Sequence, residues 1–435
     1  MPDDDRVAWP GVPRGPVDSG GAEPLLLGRQ PDGDQLPYLD SVTWLCTQDP
    51  QVQKLQFLTG KADFVQGNHS SLTLSDVSEL KKAEAKSVVH IELWDSGSGT
   101  GAMSFFNLDT PNARLRKLFA EQDFRLATSQ AINRTVAQKA IYFEQGEPTT
   151  GTISPKNAAF QFDADTAKQG LALYRDWRDS AVSYDPAKAK SLLDKLGVID
   201  ADGDGFREYP DGTKLKLRLD YPADVTAEHI AMAAQVKRDW EAVGVQTMIN
   251  PVSPAGYFQQ WGRGELMVNH AWVEGTNHPL IDPPMVLPIS VDIYAPLHGQ
   301  GYVLQTSAPE TLTAQRGVDP WKRKPPFLTP ADKMPLGATF GTMYELFAQA
   351  RVNPDPVKRM NLLWQILKLH VEKGPFFYGV VANAPTVVVR HPELANVPTH
   401  DNLALGGFTQ PWVIPAPAVY DPETFFWPDP TAHHL

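Results

Sequence analysis

Hydrophobic positions along the chain alternate between a helical period and a strand period, and the breaks between them fall at Asp-Pro pairs and at glycines. Ala189, Leu192, Leu193 and Leu196 make one apolar helical face behind Asp185-Pro186 and before Gly197. These flanks supply an N-cap, an N1 proline and a C′ glycine. Ile230, Ala233, Val236, Trp240 and Val243 keep the spacing of three and four from Thr226 to Val243, and Gly244 ends the run. A third helix opens at Asp355-Pro356, carries Met360, Leu363, Leu367 and Val371, and stops before Gly374-Pro375. A further helical stretch runs from Arg114 to near Phe143, with a break expected at Gln122.

Strands are predicted between these helices. Lys214 to Leu219 alternates strictly, which predicts one buried and one solvated face. Val245 to Ile249 follows the Trp240 helix at once, and Leu266 to Trp272 follows another short helix. Phe376 to Val381 and Thr386 to Arg390 form a late pair, and a strand is expected near Ser41 to Leu45 after the turn at Pro31-Asp32-Gly33-Asp34. Strand and helix in alternation predict an α/β lobe. Between Pro279 and Pro335 lie 11 prolines in 57 residues with little periodicity, which predicts a wrapped surface excursion. Residues 1–28 show no periodicity, are broken by proline and glycine, and do not read as part of a fold.

Composition bounds the class. At roughly 150 residues per domain, 435 residues allow about three domains or two large lobes. With 42% hydrophobic and 21% charged residues the chain reads as globular. The net charge of −12, with no clustered lysine and arginine, argues against nucleic acid as a partner. The single cysteine, Cys46, excludes an intramolecular disulfide and a cysteine-based zinc site, and beside Trp44 and Leu45 it reads as a buried, inert thiol. The opening Met1-Pro2-Asp3-Asp4-Asp5 lacks the basic and apolar regions of a secretory signal.

Catalytic and cofactor motifs are absent: there is no G-x-S-x-G, H-E-x-x-H, phosphate-loop or dinucleotide fingerprint, so neither catalytic residues nor a cofactor are expected. Gly97-Ser98-Gly99-Thr100-Gly101 reads as a hinge or loop rather than a phosphate cradle. Asp200, Asp202 and Asp204 stand at positions 1, 3 and 5 of a loop with Gly205 at 6, the start of a calcium-loop pattern. Position 12 is Asp211 instead of glutamate and a strand follows, so a polar connection is the first reading and calcium the alternative. Of the 11 tryptophans, Trp261, Trp272, Trp321, Trp412 and Trp427 fall in or beside loops and strand ends, where an α/β lobe presents a cleft, while Trp364 sits inside a helix and reads as core. Trp272 and Glu274 place an aromatic plate and a carboxylate at one strand end, either as ligand contacts or as a lobe-packing tryptophan with a solvated glutamate.

Several segments together resemble the family 5 extracellular solute-binding proteins of bacterial ABC importers for oligopeptides and dipeptides. They are Asp32 to Asp40, Gly60-Lys61-Ala62-Asp63-Phe64 and Phe106-Asn107-Leu108, then Phe124-Arg125-Leu126-Ala127 with Ala131-Ile132-Asn133-Arg134. Tyr184-Asp185-Pro186-Ala187-Lys188-Ala189-Lys190 and Asp202-Gly203-Asp204-Gly205-Phe206 follow in the same order. Thr128 and Asn133 depart from the family's pattern. The resemblance covers about residues 30 to 435.

It implies an α/β, periplasmic binding protein-like clamshell of type II with an extra domain, here mainly the C-terminal lobe. On that reading 1–28 is an aberrant or out-of-frame segment, 29–95 the end of lobe I, 96–399 lobe II, and 400–435 the return to lobe I of an N-terminally truncated protein. The implied function is binding without catalysis. The chain would take peptides in an interlobe cleft and deliver them to a membrane permease, as a monomer in the periplasm or another extracytoplasmic space. Trp272, Glu274 and Asn107 are the implied ligand contacts. Trp272-Val273-Glu274 departs from the family's amino-group site by one residue and by Glu for Asp, and Pro222-Ala223-Asp224-Val225 lacks the arginine that holds a dipeptide's carboxylate. Longer peptides gripped through the backbone, or oligosaccharides stacked on tryptophan, then fit equally well. A secreted α/β hydrolase is the alternative of a different class, and a nucleophile-base pair would distinguish it.

Overall fold

The computed structural model describes residues 38–39, 41–66 without 44, 46 and 48, 72–94, 99–270 without 152, 154, 156, 158 and 161–163, 278–400 without 285 and 292, and 424–429, together with the backbone at 6–7, 404–405 and 418–419. Packing divides the chain into two compact units. Unit 1 comprises Met1–Ser96, Pro385–Ala404 and Pro411–Leu435, and unit 2 comprises Gly97–Ala384 and Leu405–Gln410.

In unit 1, β1 (Arg6–Val7) pairs antiparallel with β2 (Val42–Thr43), so part of the stretch read as unstructured does form a strand. Helix α1 (Pro50–Leu58) is capped by Asp49, whose carboxylate accepts from the Gln51 and Val52 N–H groups. Strand β3 (Phe64–Gln66), α2 (Val77–Glu84) and β4 (His90–Trp94) follow.

Unit 2 opens with β5 (Ser104–Phe106), and the expected long helix is three: α3 (Ala113–Ala120), α4 (Gln122–Ala131) and α5 (Arg134–Ala140). The chain turns extended at Glu121 and again at Ile132, and Asn133 caps α5 through the Val136 N–H. Then come β6 (Glu147–Pro148), α6 (Ala164–Asp179) and α7 (Pro186–Lys195), with Asp185 capping through the Lys188 N–H and Gly197 at a φ of +72°. Only glycine takes that backbone state without strain. Next follow β7 (Lys216–Pro222), α8 (Ala227–Ala242), β8 (Gln246–Val252), α9 (Pro254–Gly262) and β9 (Val268–His270). The unit closes with α10 (Pro296–Ser307), α11 (Pro309–Ala314), α12 (Gly337–Val352), α13 (Pro356–Lys373) and β10 (Val381–Ala382).

The central sheet of unit 2 has the order β5-β9-β7-β8. Strands β9, β7 and β8 run parallel and β5 runs against them, with Phe106 opposite Val268 and Ser104 opposite His270. Phe106 anchors the core, stacking on Phe119 at 4.5 Å and on Trp240 at 5.7 Å, with Tyr378 edge-on at 5.4 Å. Beyond buried area, each such pair contributes about 0.5–1.5 kcal/mol.

Two buried arginines join α4 and α5 to the segment before β10. Arg125 donates to the carbonyls of Phe119, Lys373 and Pro375. Arg134 donates to Thr149, Gly379 and Ser129 carbonyls and to Ser129 Oγ. Desolvation lowers both guanidinium pKa values to about 10.

Two sequence expectations change. The proline-rich stretch is more than a surface excursion: α10 buries Leu297, His298 and Leu304. It packs backbone against backbone, since a Cβ on Gly299 would fall on the Ser290 carbonyl and one on Gly301 on the Leu328 carbonyl. Packing through glycine leaves no hydrophobic period to read. Moreover β11 (Thr386–Arg390) does not pair with 376–381. It lies between β3 and β4 in unit 1, antiparallel to both, with Trp94, Leu394, Val397 and Phe425 around Val388.

Candidate functional site

In an open parallel sheet the ends of several strands and the loops that follow them converge at the carboxyl edge, where a ligand meets the most backbone and side-chain groups. In unit 2 that edge lies where β7 ends at Pro222 and β9 at His270. The sequence then continues into 223–226 and 271–277.

Asp220 locks these strand ends. Fully buried, it accepts from Arg218 Nε at 2.6 Å, Asn250 Nδ2 at 2.7 Å and the Met267 N–H at 2.8 Å, tying β7 to both neighbours. Periodicity marks Asp220 as a solvated position, so its role had no local signal. Beside it, His270 Nδ1 lies 2.7 Å from Ser104 Oγ, and Nε2 lies 2.9 Å from the His229 carbonyl. A carbonyl can only accept, so Nε2 carries the proton and Nδ1 accepts from the serine hydroxyl. Desolvation lowers the His270 pKa to about 4.

This contact has the shape of a nucleophile-base pair, the feature that would favour a hydrolase. Ser104 is 2% exposed and His270 0%. A base with so low a pKa, orienting its N–H on a backbone carbonyl and closed off from substrate, does not suit proton abstraction near neutral pH. The pair holds β5 to β9 and to the start of α8.

The loop after β7 is more open. Asp224 is exposed, Glu228 is half-buried in the first turn of α8, and Thr226 Oγ1 pairs with His229 Nδ1 at 2.9 Å. Neither 219–229 nor 266–280 contains a lysine or arginine.

Of the residues singled out from sequence, Trp272 and Glu274 lie outside the described residues, as do Trp412 and Cys46. Asn107 is 6% exposed. Its Nδ2 donates to the Gly264 and Leu266 carbonyls at 2.5 and 2.9 Å, and its Oδ1 accepts from the Asp109 N–H at 3.1 Å. Its backbone N–H meets the Met267 carbonyl, so Asn107 stands at the entry of β9, opposite the end from which 271–277 continues. A cavity of about 10 Å³ lies there between Asn107, Asn269, Phe105 and Trp261, room for about one water. Trp364 is core as expected and donates to the Ala159 carbonyl, whereas Trp321 donates to the Asp109 carbonyl beneath the Arg116 guanidinium.

Asp200, Asp202 and Asp204 do come together, and Glu208 joins them, one carboxylate oxygen from each lying within 4.8 Å of the others. Asp211, the expected twelfth position, instead pairs with Arg114 at 2.5 Å. Glu208 stands at position 9 of the same count, a ligand position of the pattern that the sequence reading leaves out, and a bridge between Ile199 and Glu208 brings it to the loop.

The family model for "Bacterial extracellular solute-binding proteins, family 5 Middle" matches residues 22–285. A "Probable ABC transporter-binding protein" of Deinococcus radiodurans is 26% identical over 226 residues, which is 51% of this chain and 34% of that protein. The glutathione-binding protein GsiB of Escherichia coli K12 is 28% identical over 162 residues, 37% of this chain and 26% of that protein. Among solved structures, an oligopeptide-binding protein OppA superposes with a TM-score of 0.62 at 22% identity, covering 91% of this chain and 58% of that one. MelB of Agrobacterium fabrum C58, in complex with stachyose, gives 0.59 at 17% identity over 86% of this chain and 50% of that one. NikA of Brucella suis, in complex with Fe(III)-EDTA, gives 0.56 at 17% over 84% and 60%. The chain thus spans about a third or less of these two curated relatives and 50–60% of these solved structures. The likeness shows an α/β fold of the type II periplasmic binding protein kind.

Proposed function

Because this chain belongs to the bacterial extracellular solute-binding proteins of family 5, we propose that it is the solute-binding component of an ABC importer, with peptides as its ligand and a membrane permease as its partner. It acts outside the cytoplasm, as a monomer, and binds without catalysis. The observation that carries the ligand reading is the absence of any lysine or arginine in 219–229 and 266–280, the two segments at the carboxyl ends of β7 and β9. A site without a fixed cation there has no clamp for a short peptide's carboxylate. It suits longer peptides held through backbone hydrogen bonds. Trp272 and Glu274 are the proposed contacts, the ring against side chains and the carboxylate toward the ligand's amino group. Asn107 contributes from the other end of β9 by fixing the strand that leads to them. An oligosaccharide is the second reading, favoured by the stachyose complex that shares this fold and by the ring of Trp272 as a stacking plate.

Differential scanning fluorimetry of the 435-residue chain separates the two. A nonapeptide, a tripeptide, stachyose, glutathione and Fe(III)-EDTA are the probes. At a ligand concentration of 100 times Kd, binding stabilises the folded state by about 2.7 kcal/mol. A shift with the nonapeptide that exceeds the tripeptide's supports the proposal. A shift with stachyose alone assigns the site to sugars, and a shift with glutathione or Fe(III)-EDTA alone refutes the charge argument.

A further inference from the structure

The loop from Asp200 to Glu208 has two possible sources of neutralising charge: a divalent cation from solvent, or a cation of its own chain. Lys214, two residues before β7 and bridged to Glu208, reaches into the cluster. Its Nζ lies 2.8 Å from Asp202 Oδ2, 2.6 Å from Asp204 Oδ2 and 2.6 Å from Glu208 Oε1. Glu208 is 3% exposed, and its other oxygen accepts the Ala201 N–H at 2.7 Å. A carboxylate so buried needs a counter-charge, and the ammonium is in contact with it.

The remaining acids are already committed. Asp200 accepts from the Gly203 N–H at 2.8 Å and the Gly205 N–H at 3.0 Å, one on each oxygen. Asp204 Oδ1 accepts from the Phe206 N–H at 2.9 Å. Against a desolvation cost, the bonds to Asp202, Asp204 and Glu208 raise the Lys214 pKa above the ordinary lysine value, and the Lys214 bond lowers that of Asp204.

We infer that the Lys214 ammonium occupies the position a divalent cation would take, making this loop a metal-independent clasp between α7 and β7. A calcium ion would have to displace the ammonium or share the cluster with it, and the side chain is covalently present at a local concentration no free ion matches.

The test compares the intact chain with Lys214→Gln in calorimetric and thermal melts, each with 5 mM EDTA or with calcium chloride up to about 5 mM, bracketing the weakest calcium sites. The intact chain should melt at one temperature throughout and give no saturable heat with calcium. Lys214→Gln should melt several degrees lower in EDTA and recover with calcium. Lys214→Arg, which keeps the charge, should remain calcium-indifferent. A saturable calcium shift in the intact chain would overturn the inference whether or not the variants fold. So would a Lys214→Gln protein as stable as the parent, or one destabilised yet unmoved by calcium.

Discussion

Replacing Arg134 by methionine tests how the two buried arginines hold unit 2 together. Methionine keeps the length of the side chain and removes every donor. The guanidinium makes four hydrogen bonds, to the Thr149, Gly379 and Ser129 carbonyls and to Ser129 Oγ, at 2.7 to 2.9 Å. Bonds from a charged donor contribute about 1.5–3 kcal/mol each, so the gross loss is roughly 6–12 kcal/mol. Against this stands the cost of burying a cation without a carboxylate. Desolvation lowers the Arg134 pKa from 12.5 to about 10, a cost on the order of 3 kcal/mol. The difference leaves a net loss of at least about 3 kcal/mol. Arg134→Lys retains the charge but has three donors on one nitrogen and cannot span the same carbonyls, so it should also lose about 2 kcal/mol. Urea denaturation followed by tryptophan fluorescence reports on unit 2 through Trp240, whose Nε1 donates to the Thr128 carbonyl. An Arg134→Met midpoint corresponding to less than about 1 kcal/mol of destabilisation would refute the reasoning, because the abandoned carbonyls would then have found other partners.

Acid should weaken unit 2 through two histidines. Desolvation lowers the pKa of His270 and His370 from 6.5 to about 4, so between those values the unfolded chain binds more protons. The stability each contributes is present above pH 6.5 and lost as pH falls toward 4, about 3 kcal/mol per residue, and His370→Gln should flatten the pH dependence of the urea midpoint by about half. Gly299→Ala should destabilise the α10 region strongly, since the added Cβ would fall on the Ser290 carbonyl backbone; limited proteolysis with new cleavage between Pro279 and Pro335 is the expected readout, and an unchanged digest would contradict the packing. Trp272→Ala should reduce nonapeptide affinity about tenfold or more with an unchanged melting temperature of the ligand-free chain, measured by isothermal titration; equal affinity would remove Trp272 from the site.

Local information carried much of the secondary structure. Asp185-Pro186 and Asp355-Pro356 mark helix starts, and Gly197 and Gly244 mark ends, because capping and a left-handed backbone are decided by neighbours a few residues away. The order of short segments was sufficient for the family. The acidic loop was legible too, as three aspartates at alternate positions with Glu208 countable at the ninth, but Lys214 was not, since it lies beyond the motif's twelve positions and reaches the loop through its bridge to Glu208. The same holds for Ser104 against His270, Asp220 against Met267, and β11 between β3 and β4, each a contact across tens to hundreds of residues. Periodicity states which positions face inward. Which inward-facing groups meet depends on how the elements stack, so the polar contacts that tie the strand ends together and fill the acidic loop were decided only by the tertiary structure.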